Sequence, residues 1–168
     1  MRRVAIPAVF LFLAALLETS LLSRLVAPGL RPGVVLIISS VWAALRGDEG
    51  LVWAFGGGLM LDMLSAGPFG LHTAGLLLGN FVAQLMDRLP IPSRLFRATN
   101  WVAIATAVSQ LVLMAGLLLT GMRLDPGYAV LSIILPLLLI NPLAGTLVYA
   151  VLSIVSDALD RRTRGVVR

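Results

Sequence analysis

The sequence contains no cysteine. Disulfides, thiolate nucleophiles and Cys-ligated metals are therefore excluded. It contains no lysine either, since all 13 basic residues are arginine. A Gly-x-x-x-x-Gly-Lys phosphate loop is thus impossible. The single histidine, His72, rules out an H-E-x-x-H zinc site. Charge is scarce as well. Only 12% of residues are charged, half of the roughly 25% usual in soluble domains. That shortage argues against a soluble globular fold. It also excludes disorder, which needs low hydrophobicity and high charge.

What is present is apolar: 59% of the 168 residues are hydrophobic, and the mean hydropathy is +0.99. A helix needs about 20 apolar residues to cross a bilayer. Charge-poor stretches run over 4–22, 34–45, 51–64, 69–86, 101–122 and 128–155. The remainder, divided among five loops and two tails, is too little for a soluble domain. The expected fold is a single all-α integral membrane domain, a six-transmembrane-helix bundle. The second and third stretches would reach only roughly 18–21 Å at about 1.5 Å per residue. They read as two short spans or as a re-entrant hairpin buried in protein, and two spans are the reading adopted. The last stretch is longer than a span requires and carries Pro136, Asn141 and Pro142. A kink, or a short interfacial helix followed by the span proper, is expected there, because proline removes an intrahelical hydrogen bond.

The net charge is +5. In a soluble protein this would suggest nucleic acid, but in a membrane protein basic loops mark the cytoplasmic side. With the N-terminus inside, ten arginines fall on inner segments: Arg2, Arg3, Arg46, Arg88, Arg94, Arg97, Arg161, Arg162, Arg164 and Arg168. Only Arg24, Arg31 and Arg123 fall outside. Both termini are therefore expected in the cytoplasm, and no nucleic-acid partner is required. Trp42, Trp53 and Trp101 fall at inner span ends, where indoles favour the interface. No small-x-small cleavage site follows Arg2-Arg3 and its apolar run, so the first segment reads as an uncleaved helix.

Two acids lie within spans, Glu18 and Asp62. With His72 and the following Arg24, they could occupy one level of the outer leaflet. Near a helix end a carboxylate reaches the interface at reduced cost. Such groups can pair and tether loops, or they can bind. Nothing supplies a nucleophile with a base or a water-activating metal, so no enzyme, catalytic residue or cofactor is expected. Small residues recur at helical spacing: Ala54, Gly58, Asp62 and Ser65; His72, Gly75, Gly79 and Ala83; Asn100, Ala103, Ala107 and Gln110. Such faces meet other helices, either within the chain or on a partner. The candidate partner face is Gly58, Gly75, Gly79, Ala83, Ala103 and Ala107.

One region is distinctive. Arg31-Pro32-Gly33 precedes an apolar helix and Arg46-Gly47-Asp48-Glu49-Gly50. Then come Ala54-Phe55-Gly56-Gly57-Gly58-Leu59-Met60-Leu61-Asp62 and Gly67-Pro68-Phe69-Gly70-Leu71. This resembles the bacterial rod shape-determining protein MreD family, with its six spans and a Gly-rich third span ending in aspartate. Gly33 departs from the pattern, since members often carry an acid or amide there. The resemblance implies a non-enzymatic inner-membrane scaffold of the cell-elongation machinery. Its implied partners are the bitopic protein MreC, a RodA-type glycosyltransferase, a class B penicillin-binding protein and MreB, acting in side-wall peptidoglycan synthesis. It also implies a fold related to the substrate-binding subunits of energy-coupling-factor vitamin transporters, and such a subunit is the alternative reading. Ala5, Ala8, Ala14 and Ala15 do not form the Ala-x-x-x-Ala docking pair typical of those subunits. In the scaffold reading, the small-residue faces would form a groove for a partner helix. The polar cluster would position the partner's periplasmic segment. Membrane lipids would contact the Arg161, Arg162 and Arg164 tail, because arginine binds phosphate with a planar fork.

Overall fold

The computed structural model describes residues 2–22, 31–87, 93–122 and 124–164, with side chains over 9–20, 31–87, 93–122 and 124–153. Among the described residues the chain is all-helical, without strands. Helix α1 (Arg2–Leu16) runs into a π-helical turn, Leu17–Leu22. It is followed by α2 (Val34–Arg46), α3 (Asp48–Leu64), α4 (Leu71–Met86) and α5 (Arg94–Leu119). The short α6 (Pro126–Ala129) leads through a second π-helical turn, Val130–Ile134, into α7 (Leu135–Arg164). Two runs, Arg94–Leu119 and Pro126–Ser153, are long and apolar enough to cross a membrane. Val9–Ser20, Val34–Arg46 and Leu71–Met86 are apolar but shorter.

Capping explains two boundaries that differ from the hydropathy segments. α5 starts at Arg94, not 101, because Ser93 Oγ accepts the Phe96 N–H at 3.5 Å. The final helical run starts where Asp125 Oδ1 accepts the Gly127 N–H at 2.9 Å. Pro126 then occupies the first helical turn, where its missing N–H is not needed. The run continues through Pro142. Its departure from α geometry lies at Val130–Ile134, immediately before Leu135 and Pro136. Pro136 withholds the N–H that would close the preceding α turn, and a wider turn accommodates the gap.

The helices pack antiparallel to their chain neighbours. Gly47, at φ 63°, makes the one-residue turn between α2 and α3. Across that hairpin Gly50 lies on Ala43 and Gly57 on Val35. Gly58 lies on Thr73 of α4, and Gly79 lies on Ala105 and Ser109 of α5. The centre is α2, which contacts α1, α3, α4, α5 and α7. Val35, Leu36, Ile37, Ser39, Ser40, Val41, Ala43 and Ala44 are all buried. A helix apolar on every side belongs in an interior, and the shortest of the main helices occupies it. By contrast, the final helical run turns Leu131, in the π-helical turn, and Leu135, Leu139, Leu143 and Leu147 of α7 outward. That outward leucine row suits a hydrocarbon surrounding rather than water.

Candidate functional site

Three helices begin after glycine: Gly33, Gly47 and Gly70 are the N-caps of α2, α3 and α4. Glycine offers no side chain to the unpaired N–H groups of a first turn. In α3 the first turn holds Asp48 and Glu49, which complement the positive end of the helix dipole. The first turns of α2 and α4 hold no acid. Their acceptors come from other helices.

Asp62, in the last turn of α3, caps α4. Its Oδ1 accepts the His72 backbone N–H at 2.9 Å and pairs with His72 Nδ1 at 3.0 Å. Oδ2 accepts the Thr73 N–H at 3.0 Å and the Thr73 hydroxyl at 2.6 Å. An ionised carboxylate has about four lone-pair sites, and four donors meet it here. Asp62 is 3% exposed, so neither water nor a substrate competes for it. This carboxylate is a rivet between two helices, with no free site for proton abstraction. The turn it holds is shaped by Gly70, at φ 94°, which an L side chain would strain.

Glu18 performs the same service for α2. It lies in the π-helical turn after α1, and its Oε2 accepts the Val35 N–H at 2.9 Å. Asn141 of α7 adds a second acceptor, with Oδ1 taking the Gly33 N–H at 3.1 Å. The Asn141 amide then donates to Thr106 Oγ1 of α5 at 3.3 Å. At the opposite end of α2, Arg97 Nη2 donates to the Ala44 carbonyl at 3.4 Å. Arg97 Nε lies 3.5 Å from Asp87. Both ends of the central helix are thus satisfied by side chains of other helices.

The expected polar cluster therefore divides. Asp62 and His72 are brought together. Among the described residues no hydrogen bond or ion pair joins Glu18 to either of them, because Glu18 is committed to α2. Arg24 lies outside the described residues, as do Arg88, Arg123 and Arg168. The Arg161, Arg162 and Arg164 side chains do too. Asn141, marked as a kink residue, is a cap, while Pro142 is buried inside a continuing helix. Thr73 and Arg97 were not singled out as site residues. The missing local caps at Gly33 and Gly70 were the signal that distant acceptors must exist.

The small-residue faces are occupied from within. A Cβ on Gly58 would lie 2.5 Å from Thr73 Cα. On Gly75 it would lie 3.2 Å from the Ser109 carbonyl oxygen, and on Gly79 2.6 Å from that of Ala105. Ser109 Oγ also donates to the Gly75 carbonyl at 2.8 Å, and Ala83 is buried. These four residues form the α3–α4–α5 contact and present no groove to another chain. Ala103 and Ala107 are half-buried.

An opening lies beside the Asp62–His72 pair. A cavity of about 280 Å³ sits between the α3–α4 turn with Gly67 and Pro68, His72 at the start of α4, the α5 side chains Gln110, Met114 and Leu117, and a strap carrying Leu124 and Ile134. Its lining is apolar except for His72 and Gln110. One wall is pinned by the four bonds of Asp62. The strap is not: the Asp125 side chain accepts from Gly127 and Tyr128 within it, and its carbonyl from Ala129. Among the described residues, no group of three or more His, Asp or Glu side chains could hold a metal ion. Compared with known proteins, the chain matches no family model, no curated protein and no solved structure.

Proposed function

We propose that the chain is a six-span, non-enzymatic scaffold of the bacterial inner membrane, of the MreD kind. In this reading it binds an MreC-like bitopic partner. It acts beside a RodA-type glycosyltransferase, a class B penicillin-binding protein and MreB to direct side-wall peptidoglycan synthesis. The observation that carries the reading is the unity of the distinctive segment. The Gly-rich helix, its terminal Asp62 and the Gly-Pro-x-Gly-Leu turn are one device. Gly58 admits the α4 backbone, Gly70 turns the chain, and Asp62 locks the start of α4. The motif builds a rigid helix junction rather than a reaction centre, which suits a scaffold.

The partner's place shifts from the one expected. With the α3–α4–α5 faces closed, the partner's periplasmic juxtamembrane segment is assigned to the cavity beside His72. Co-expression with an MreC-like partner and co-purification in detergent tests this. The wild-type chain is expected to retain the partner, and Leu117→Trp, which fills the cavity, to lose it while remaining folded. Failure of the wild-type chain to retain the partner would remove the scaffold reading.

A second reading, a vitamin-binding subunit of an energy-coupling-factor transporter, draws on the same cavity. Its volume of about 280 Å³ falls just below the roughly 300–1,000 Å³ of small-molecule sites. That reading predicts tight vitamin binding by the purified chain without any partner.

A further inference from the structure

We infer that the outward walls of α3 and α4 thin the bilayer beside them, so that this side of the molecule takes shorter-chain phospholipid than the side formed by α7. The inference rests on the six-span membrane reading and adds the lipid that one wall selects. The first argument is where water must reach. In the α3–α4 turn, Ala66, Gly67 and Phe69 are exposed. Among the described residues nothing accepts from their backbone N–H groups. Unpaired backbone groups are not tolerated in hydrocarbon, so this turn lies at the level of headgroups or water. The other ends of the two helices are set by charge. Asp48 and Glu49 are exposed in the first turn of α3. Asp87, the C-cap of α4, faces Arg97 at 3.5 Å. Asp48 Oδ1 accepts from Gln84 Nε2 at 2.6 Å, which holds these two ends at one level.

The second argument is length. The 17 residues of α3 and the 16 of α4 rise about 26 and 24 Å, against about 30 Å of hydrocarbon. Tilting would shorten their reach across the bilayer further. Snorkelling offers little, because Ser65, Ala66, Gly67 and Pro68 of the outer turn carry no long polar side chain. The mismatch is then met by the lipid. Val52, Phe55 and Met63 of α3 and Leu78, Phe81 and Leu85 of α4 are exposed, so lipid meets these walls directly. The third argument is contrast. The 26 residues of α5 and the 28 of Pro126–Ser153 rise about 39 and 42 Å. A helix longer than the hydrocarbon fits by tilting and needs no thinning. α2 packs against both α3 and α7, so the short and long walls stand on different sides of the central helix.

The test uses the full chain reconstituted in phosphatidylcholine vesicles, with a bimane label on Phe55→Cys in α3 or on Leu139→Cys in α7. Both side chains are exposed, and the chain has no other cysteine to react. A phosphatidylcholine with brominated chains quenches the label on contact. Dipalmitoleoyl- or dieicosenoyl-phosphatidylcholine is then titrated in as competitor. At Phe55→Cys the shorter lipid is expected to displace the quencher about twofold better than the longer one, the scale of a modest mismatch cost. At Leu139→Cys that preference is expected to vanish or reverse. An equal preference at the two positions, or preference for the longer lipid at Phe55→Cys, would overturn the inference. Quenching at Leu139→Cys with none at Phe55→Cys would overturn it too, by showing that protein covers α3. Quenching at neither position would remove the membrane reading itself.

Discussion

Three consecutive glycines show how much a single position depends on its direction. Gly56 has nothing within 4 Å of where a Cβ would stand. Gly57 faces Val35 and Leu11. Gly58 faces the Thr73 backbone, which cannot move aside as a side chain can. The run alone marks α3 as a helix made for close approach, but not which glycine does the approaching. Gly56→Ala is expected to be neutral or to stabilise by about 0.5–1 kcal/mol, the helical preference for alanine. Gly58→Ala is expected to cost about 1–3 kcal/mol by overpacking. Reversible unfolding of the two variants in mixed micelles checks the contrast, and equal effects would contradict the packing described. Asp62 gives a second residue-scale expectation. Asp62→Asn keeps one acceptor oxygen but turns the other into a donor facing donors. The expected loss is about 1–3 kcal/mol, with greater amide exchange at His72 and Thr73 than at Gly79.

At the scale of elements, α2 is where the sequence was half legible. Hydropathy marked 34–45, and the helix is Val34–Arg46. Its shortness was visible, while its support was not. Glu18 and Asn141 stand 17 and 108 positions away from the backbone groups they receive, and no local pattern encodes such pairs. The same limit applied to the small-residue stripes, where spacing identifies a contact face but not whose helix covers it. The helix starts at Ser93 and Asp125 were readable in principle. Hydropathy missed them because Arg94, Arg97 and Asp125 dilute the apolar signal at exactly those turns' outer edges. If the remote caps hold α2, Glu18→Gln should be mild, since an amide oxygen still accepts from Val35. Glu18→Leu should cost about 1–2 kcal/mol, the usual loss for a removed N-cap. Hydrogen exchange should then rise across Val34–Ile37 and not at the Arg97-held end. Uniform exchange along α2 would show that the cap is dispensable.

For the whole molecule, the six-span proposal requires so short a central helix to cross a bilayer. The 13 residues of α2 rise only about 20 Å, against a hydrocarbon thickness of about 30 Å. Unpaired backbone groups at its ends would then sit in lipid, at a cost of several kcal/mol each. The protein removes that cost by bringing Glu18 and Asn141 to one end and Arg97 to the other. Such caps would serve two short spans or a re-entrant α2–α3 hairpin alike, and the absence of cysteine makes the choice directly measurable. Single cysteines at the exposed positions Glu49, Ala66, Arg94 and Thr120 can be challenged with a membrane-impermeant maleimide. In intact cells Ala66→Cys and Thr120→Cys are expected to label. Glu49→Cys and Arg94→Cys are expected to label only after permeabilisation. A hairpin would instead leave the α2–α3 turn inside the bilayer, so Glu49→Cys would stay protected in both conditions while Arg94→Cys did not. The pattern at Glu49 thus decides whether the remote caps serve a helix that crosses the membrane or one that only enters it.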